Sequence, residues 1–340
     1  MNILITGGAG YIGSHTVQES INNGHRVVVY DNLSKGHCAA VPVDIPLVIG
    51  DIRDGEQLKY TVQNYQIDAV MHFAADSLVA QSMQQPLKYY QNNVAATMQL
   101  LETLLSCGVR NLVFSSTAAV YGEPSEWPIT EDMPTIPTNV YGRTKLIIEQ
   151  MLADCARAYG LNYVSLRYFN AAGALVGGQI GEDHHPETHL IPLVLQTALG
   201  TREGVDIYGC DYGTADGTCI RDYIHVTDLA KAHMLALGYL LEGGESCVYN
   251  LGSETGFSVR EVIEKAKSVT DIDFSVRERS RRVGDPAVLV ASSAKIRRDL
   301  GWAPRYSNLD TIIKTAWQWH KTHPQGYKKE VQDTEIKVLI

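Results

Sequence analysis

A chain of 340 residues with 45 % hydrophobic content is long enough for one large domain or two unequal ones around a substantial core. Its formal net charge of −9, with no basic arm or long Lys/Arg run to offset it, argues against a nucleic-acid partner. No apolar run is long enough to span a bilayer, the chain opens on a core strand rather than a leader, and the six cysteines lie far apart with no Cys-x-x-Cys or Cys/His spacing, so the expectation is a soluble cytoplasmic protein with reduced thiols, no membrane partner and no bound metal.

Ile3, Leu4 and Ile5 form a short apolar run that reads as a buried parallel strand, and from Tyr11 to Gly24 the periodicity is helical. Glycines occupy the turn between them, in Thr-Gly-Gly-Ala-Gly-Tyr-Ile-Gly from Thr6 to Gly13. Gly7 permits the turn, Gly10 lets backbone N–H groups approach a pyrophosphate, and Gly13 lets the helix pack on the strand, while the helix N-terminus favours phosphate. The next strand, Arg26 to Tyr30, ends in Asp31, where an acid hydrogen-bonds ribose hydroxyls and repels a 2′-phosphate. NAD is therefore the expected cofactor, rather than NADP.

A loop from Asn32 to Pro46 leads to a third short strand, Leu47 to Ile49, which ends in Gly50 and Asp51. Asp51 stands at a strand's C-terminal end, where it could touch an adenine, cap the helix beginning near Asp54, or do both. The fourth strand, Ala69 to Met71, runs into His72-Phe73-Ala74-Ala75, small residues that would let a cofactor lie against the backbone, with His72 itself read as a core or turn residue. A helix from about Tyr89 to Leu105 carries Asn92 and Asn93 in its first turns, and the strand Asn111 to Ser116 follows. This βαβ alternation predicts an α/β fold, a doubly wound parallel sheet of Rossmann type, accompanied by a smaller α/β substrate-binding lobe.

The hydroxyl cluster Ser115-Ser116-Thr117 ends the fifth strand, in the crevice where reacting groups collect. Tyr141-Gly142-Arg143-Thr144-Lys145 then heads an amphipathic helix reaching Tyr159, and its tyrosine and lysine lie four residues apart on one face. A phenol with an ordinary pKa near ~10 is a poor base at neutral pH; a neighbouring ammonium and a positive nicotinamide both favour its phenolate.

With these motifs in place, the chain resembles the extended short-chain dehydrogenase/reductase family over nearly its whole length, and within it the nucleotide-sugar 4-epimerases. The resemblance also rests on Arg167-Tyr168-Phe169-Asn170, His189-Leu190-Ile191-Pro192, Asp216-Gly217-Thr218, Arg221-Asp222-Tyr223-Ile224-His225-Val226, Arg281-Arg282-Val283-Gly284-Asp285 and His323-Pro324-Gln325-Gly326-Tyr327. It implies that Tyr141 is the catalytic base, Lys145 its partner, and Thr117 the hydroxyl on the sugar O4. Cofactor positions matched by the family pattern are Gly7, Gly10, Tyr11, Ile12, Gly13, Asp31, Asn32, Asp51, Ile52, Phe73, Ala74, Asn92, Ser115 and Tyr168, together with Tyr141 and Lys145. For the UDP-sugar the positions are Thr117, Tyr141, Asn170, Leu190, Tyr208, Arg221, Arg282, Asp285 and, at the sugar wall, Leu289.

The implied activity is NAD-dependent interconversion of UDP-glucose and UDP-galactose through a 4-keto sugar, with weaker turnover of N-acetylated forms, in a homodimer built from the helices at 89–105 and 139–159. A UDP-pentose or UDP-uronic acid 4-epimerase stays open as an alternative. A 4,6-dehydratase would need an acid beside the hydroxyl, where this chain has Thr117-Ala118-Ala119, and a non-catalytic NAD sensor would not need the Thr117, Tyr141 and Lys145 set. Two positions depart from the pattern: Ser77 where some bacterial members have a lysine, and His189 in place of a uridine-proximal asparagine.

In the expected layout residues 1–170 form the NAD-binding domain, which also receives about 218–245, and 171–217 with 246–340 form the sugar lobe. Tyr223 to Val226 is read as a return to the main sheet. Arg277 and Arg279 are read as a solvated strand edge, and Arg221 and Arg282 as guanidinium partners of a buried diphosphate. His184 and His185 are read as loop residues, with no acid or third histidine spaced to join them.

Overall fold

The computed structural model describes residues 1–282 and 285–327. Val283 and Gly284 of the Arg281–Asp285 motif lie outside the described residues, as does 328–340 of the expected lobe.

Six short runs rich in Val, Ile and Leu form parallel strands: β1 (Asn2–Thr6), β2 (Arg26–Asp31), β3 (Leu47–Ile49), β4 (Ala69–His72), β5 (Asn111–Ser115) and β6 (Asn162–Tyr168). Near-continuous apolar strands suit a parallel sheet covered on both faces, which is what burial of Ile3, Leu4, Ile5, Val29, Val70, Val113 and Val164 records. Cys247–Leu251 adds a seventh strand beside β6, and the sheet order is Cys247–Leu251, β6, β5, β4, β1, β2, β3. The order reverses between β1 and β4. At such a switch point the flanking loops diverge and leave a crevice at the strands' C-terminal ends, and this positions the site.

One face of the sheet packs on the helices Tyr11–Asn22 and Val226–Leu241, which also pack on each other. The other face is covered by Gly55–Asn64, Ala96–Ser106 and Val140–Tyr159. The last of these is firmly delimited: the Asn139 side chain accepts the Gly142 N–H at 2.8 Å at its start, and Gly160, at φ +67°, stops it.

A third core belongs to the smaller lobe. It joins the helices Leu190–Ala198, Val259–Thr270 and Leu309–Thr322 to the parallel pair Val205–Tyr208 and Val276–Arg279.

Four expectations are corrected by this arrangement. Tyr223–His225 does not rejoin the main sheet; it pairs in parallel with Asn170–Ala172 as a separate two-stranded sheet, and only the helix that follows it packs against the main sheet. Cys247–Leu251, expected within the sugar lobe, is instead the edge strand of the main sheet, because its alternate residues Tyr249 and Leu251 are buried in the large core. The helix placed at 89–105 is interrupted: Pro86–Tyr89 and Ala96–Ser106 flank a π-helical turn, Tyr90–Ala95. Finally, the helix near residue 54 is capped by Asp54, whose carboxylate accepts the Gln57 N–H at 3.1 Å, and not by Asp51.

Candidate active site

A cavity of about 1010 Å³ follows the crevice along the C-terminal ends of the strands. At its first end, the Gly-rich turn leaves no room for side chains. A Cβ on Gly7, which has φ +72°, would lie 2.6 Å from the Ala74 backbone N, and one on Gly13 would lie 2.1 Å from the Gly7 carbonyl oxygen. The glycines therefore fix a close passage of β1, the loop after β4 and the following helix, with Gly10, Tyr11 and Ile12 on the cavity wall.

Asp31 ends β2 at 8 % exposure, its carboxylate accepting the Ala9 N–H at 3.0 Å and the Leu33 N–H at 2.9 Å. Burial pushes this carboxyl up, and the two backbone amides oppose the shift. A carboxylate fixed in this way still has lone pairs free to face the cavity, as recognition of two ribose hydroxyls requires. Asp51 accepts Asn32 Nδ2 at 3.0 Å and three bonds from Arg53, two from its guanidinium and one from its backbone N–H, and those Arg53 bonds hold its carboxyl well below the usual range. Asn32, Asp51, Ile52, Phe73 and Ala74 all line the same wall.

The π-helical turn sorts two neighbouring asparagines. Asn92 stays on the cavity wall, while Asn93 is buried, accepting the Asp76 N–H at 2.9 Å and donating to the Asp76 carbonyl at 3.0 Å and to Thr144 Oγ1 at 3.1 Å. The extra residue of a π turn rotates successive side chains off the α-helical spacing, so the loop bearing Asp76 and the helix bearing Tyr141 are tied at one point. His72 is a core residue as expected, bonded to Thr6 Oγ1 at 2.7 Å and Thr97 Oγ1 at 2.9 Å.

The reactive groups meet where β5 and β6 end. Ser115 Oγ and Tyr168 OH are 2.5 Å apart, and Lys145 Nζ donates to the Ser115 carbonyl at 2.8 Å from a position only 3 % exposed. The ammonium lies 4.7 Å from the Phe114 ring centroid and 5.9 Å from that of Tyr141. Burial drives the lysine pKa down to about 7, with Glu149 opposing. Tyr141 is pushed up to about 12 by burial, offset in part by its hydrogen bond with Thr117. Lys145, expected to ease ionisation of the tyrosine, stands beside its ring with Nζ on the Ser115 carbonyl, and Thr117 offsets part of the upward shift of the phenol from burial.

Removing the Thr117 hydroxyl should therefore act through Tyr141. Thr117→Ala should slow turnover about tenfold, as expected for the loss of one hydrogen bond of about 1–1.5 kcal/mol, and should move the rising, acid-side limb of the pH–rate profile, which follows the Tyr141 base, upward. A profile that keeps its position would show that Thr117 does not tune the phenol.

Behind Lys145 lies a buried polar chain. Glu149 receives Arg167 Nε at 3.0 Å and Nη2 at 2.5 Å, and Ser116 Oγ at 2.5 Å; Arg167 Nη1 donates to Tyr121 OH at 2.7 Å, which donates to Asn250 Oδ1 at 2.8 Å. Glu149 is one helical turn from Lys145, so this network sets the charge beneath the lysine. Sequence reading missed it because Arg167 and Asn250 come from strands far along the chain.

The cavity's other end is formed by Asn170, Arg221, Arg282, Asp285 and Leu289. Arg221 is ion-paired with Asp285 and donates to its neighbouring carbonyl at 2.7 Å, so part of its donor set is already committed. Arg282 stacks on Tyr208, 3.9 Å from the ring centroid. Leu289 aligns with Arg221 across a short parallel pair and packs on the cluster of Ala118, Val120, Tyr121 and Ile129, next to Thr117. Two expected substrate residues are not on the wall: Leu190 packs into the lobe core, and Tyr208 reaches the site only through Arg282. Arg277 and Arg279 pair with Asp206 at 2.8 and 3.2 Å along a strand edge.

The loop from 182 to 189 also faces the cavity. His184 was expected to have neither acid nor third histidine beside it; in the fold Glu182, Glu187 and His189 all join it. His189 Nδ1 is 2.8 Å from Glu182 Oε1 and 2.9 Å from Glu187 Oε1, and His184 Nδ1 is 3.2 Å from Glu182 Oε1. Burial opposes charge on His184, but hydrogen bonds to the two glutamates outweigh it and raise its pKa to about 9. His185 instead faces Asp183 at 3.3 Å and is largely exposed.

Comparison with known proteins agrees with this geometry. Residues 3–252 match the model of the NAD dependent epimerase/dehydratase family. A UDP-glucose 4-epimerase of Halalkalibacterium halodurans is 56 % identical over 335 residues, covering 98 % of this chain and 100 % of the relative. A crystal structure of UDP-glucose 4-epimerase from Brucella ovis in complex with NAD superposes with a TM-score of 0.91 at 50 % identity, covering 93 % of this chain and 97 % of that one. The Bifidobacterium longum UDP-glucose 4-epimerase in complex with NAD+ and UDP gives 0.90 at 37 % identity, covering 96 % and 100 %.

Proposed function

This chain belongs to the NAD dependent epimerase/dehydratase family, and from that premise we propose that it interconverts UDP-glucose and UDP-galactose by oxidation and re-reduction at C4. The observation that carries the reading is the convergence of Thr117, Tyr141 and Lys145 at the ends of β5 and β6, in the same cavity as the Gly7–Gly13 turn and Arg221. The site fits the cofactor: the glycine passage has no room for side chains, and Asp31 is held by two amides with lone pairs to spare.

Gly10, Tyr11 and Ile12 would border the cofactor diphosphate, Asp31 the adenosine ribose, and Lys145 the second ribose. When bound, NAD supplies the hydride acceptor and donor at C4 and, oxidised, a positive charge that favours the Tyr141 phenolate. Tyr141 takes the proton of the sugar 4-OH, with Thr117 hydrogen-bonded at the same oxygen. The 4-keto sugar turns within the site before reduction on its other face, so the nucleotide must be held and the hexose left loose. Asn170, Arg221, Arg282 and Asp285 serve that hold. In the return step Tyr141 is well suited as an acid, since a phenol raised to about 12 keeps its proton until an alkoxide develops.

Purified protein should carry NAD or NADH without addition, because a cofactor recycled in place gains nothing by leaving. Assay of the dinucleotide released on denaturation tests this, and a predominance of NADP would overturn the role given to Asp31.

Leu289 decides which hexoses enter. It presents a branched apolar group, smaller than tyrosine and larger than cysteine, beside Thr117. Good turnover of UDP-glucose and UDP-galactose is expected, with N-acetylated sugars reduced by a steric term of about 1–3 kcal/mol. Leu289→Cys should narrow the gap in kcat/KM and Leu289→Tyr should widen it; unchanged ratios in both variants would remove Leu289 from the sugar wall.

The chain works as a homodimer in this reading, joined through the helices Ala96–Ser106 and Val140–Tyr159, where Met98 and Tyr159 stand more than half exposed. Sedimentation at micromolar concentration tests it. Among the described residues no helix is long and apolar enough to cross a membrane, and none of the six cysteines forms a disulfide, which supports a reducing compartment, the cytoplasm.

A further inference from the structure

Glu182, His184, Glu187 and His189 come from a single eight-residue stretch, yet their donor atoms all lie within 4.8 Å of one another. The four histidine–carboxylate separations are 2.8, 2.9, 3.2 and 3.8 Å. Four ligands placed tetrahedrally around a zinc-like ion at bond lengths of about 2.0–2.1 Å are about 3.4 Å apart along every edge, and the four histidine–carboxylate edges bracket that value.

Hydrogen bonding alone serves this cluster poorly. His189 Nδ1 has at most one hydrogen and faces two carboxylates at nearly equal distance. His184 Nδ1 likewise faces Glu182 and Glu187, and neither approach is shorter than 3.2 Å. A single ion at the centre addresses all four atoms at once.

The surroundings are those of a prepared site. Glu182 is 6 % exposed, and its carbonyl is held by Trp319 Nε1 at 3.0 Å. Glu187 Oε1 also accepts the N–H groups of Thr188 and His189 at 2.7 and 2.8 Å, which fixes the orientation of that carboxylate. Outer partners of this kind orient metal ligands.

We infer that Glu182, His184, Glu187 and His189 bind one divalent transition-metal ion of the zinc class, which pins the 182–189 loop against the cavity wall. Two imidazoles and two carboxylates suit such an ion, and the two glutamates balance its charge. The site lies on the wall of the same cavity, and its four ligands are distinct from Thr117, Tyr141 and Lys145.

The test uses the full chain, stripped with chelator and then reloaded. Wild type should bind one equivalent of Zn2+, and Co2+ in its place should give the intense visible bands of a four-coordinate ion without a thiolate charge-transfer band, which separates this site from the cysteines. His184→Asn and Glu187→Gln, each checked for folding by circular dichroism and for cofactor content, should weaken Zn2+ binding by at least about 100-fold and abolish the Co2+ bands. If wild type takes up no stoichiometric ion, if the Co2+ spectrum is that of six-coordinate or thiolate-bound cobalt, or if both folded variants bind as tightly as wild type, the cluster is an ion-pair network and the inference fails.

Discussion

Tyr141→Phe should lower turnover by about 10²–10⁴-fold, the usual worth of a positioned acid/base group, while the protein keeps its fold and its NAD. Thr117 hydrogen-bonds the phenol and lowers its pKa, and Tyr141 lines the cavity, so phenylalanine removes the proton-transfer group and keeps the ring. In free energy the loss is about 3–5 kcal/mol of transition-state stabilisation, and it should appear in kcat with KM little changed, because UDP is held at the far end of the cavity. Single-turnover kinetics and the dinucleotide content of the variant measure both halves. Wild-type-like turnover would remove Tyr141 from the chemistry.

Lys145→Met should also lose activity, yet gain stability relative to wild type at low pH. Burial holds the folded-state pKa of Lys145 near 7, below the ordinary value of 10.5 that the unfolded chain recovers. Between those values the unfolded chain binds more protons, so the lysine makes wild-type stability rise with pH through that window, by about 4–5 kcal/mol in all. Below pH 7 the folded protein carries the full cost of a buried charge. Methionine fills the same volume and does not titrate. It leaves the Ser115 carbonyl without its partner, a penalty of about 1–3 kcal/mol that does not vary with pH. The stability difference, variant minus wild type, should therefore be most positive near pH 6 and fall steadily towards pH 10.5. Urea unfolding of both proteins at matched cofactor occupancy checks the slope, and parallel curves would mean that Lys145 is solvated well enough to keep an ordinary pKa.

That contrast reflects how the site is built. The short aliphatic strands, the Gly7–Gly13 turn and Asp31 are local features whose geometry follows from a few adjacent residues, and all were legible in the sequence. Tyr141 and Lys145 were legible because four residues on a helix share a face. What the sequence did not disclose depends on tertiary closure. Burial pushes the lysine pKa down and the tyrosine pKa up, and no local pattern states how deep a side chain will lie. Arg221 meets Asp285 across 64 positions, which ties up donors that the sequence reading had left free for phosphate. Leu190 heads its helix with its side chain turned to the lobe core, since the apolar face of Leu190–Ala198 must pack there. The edge strand Cys247–Leu251 follows a long helix and a turn, and only its pairing with β6 identifies its sheet. In the 182–189 loop, ligand types were visible, but their convergence comes from loop folding and has no helical or strand period to announce it.

The most direct test of the account follows the hydrogen at C4. UDP-galactose incubated in D2O with purified protein, and with no dinucleotide added, should yield UDP-glucose whose C4 hydrogen is the one the substrate brought, with no deuterium at that carbon by NMR. Deuterium at C4, or conversion only when NAD is supplied in excess, would contradict oxidation and re-reduction by a cofactor held in the Gly7–Asp31 groove.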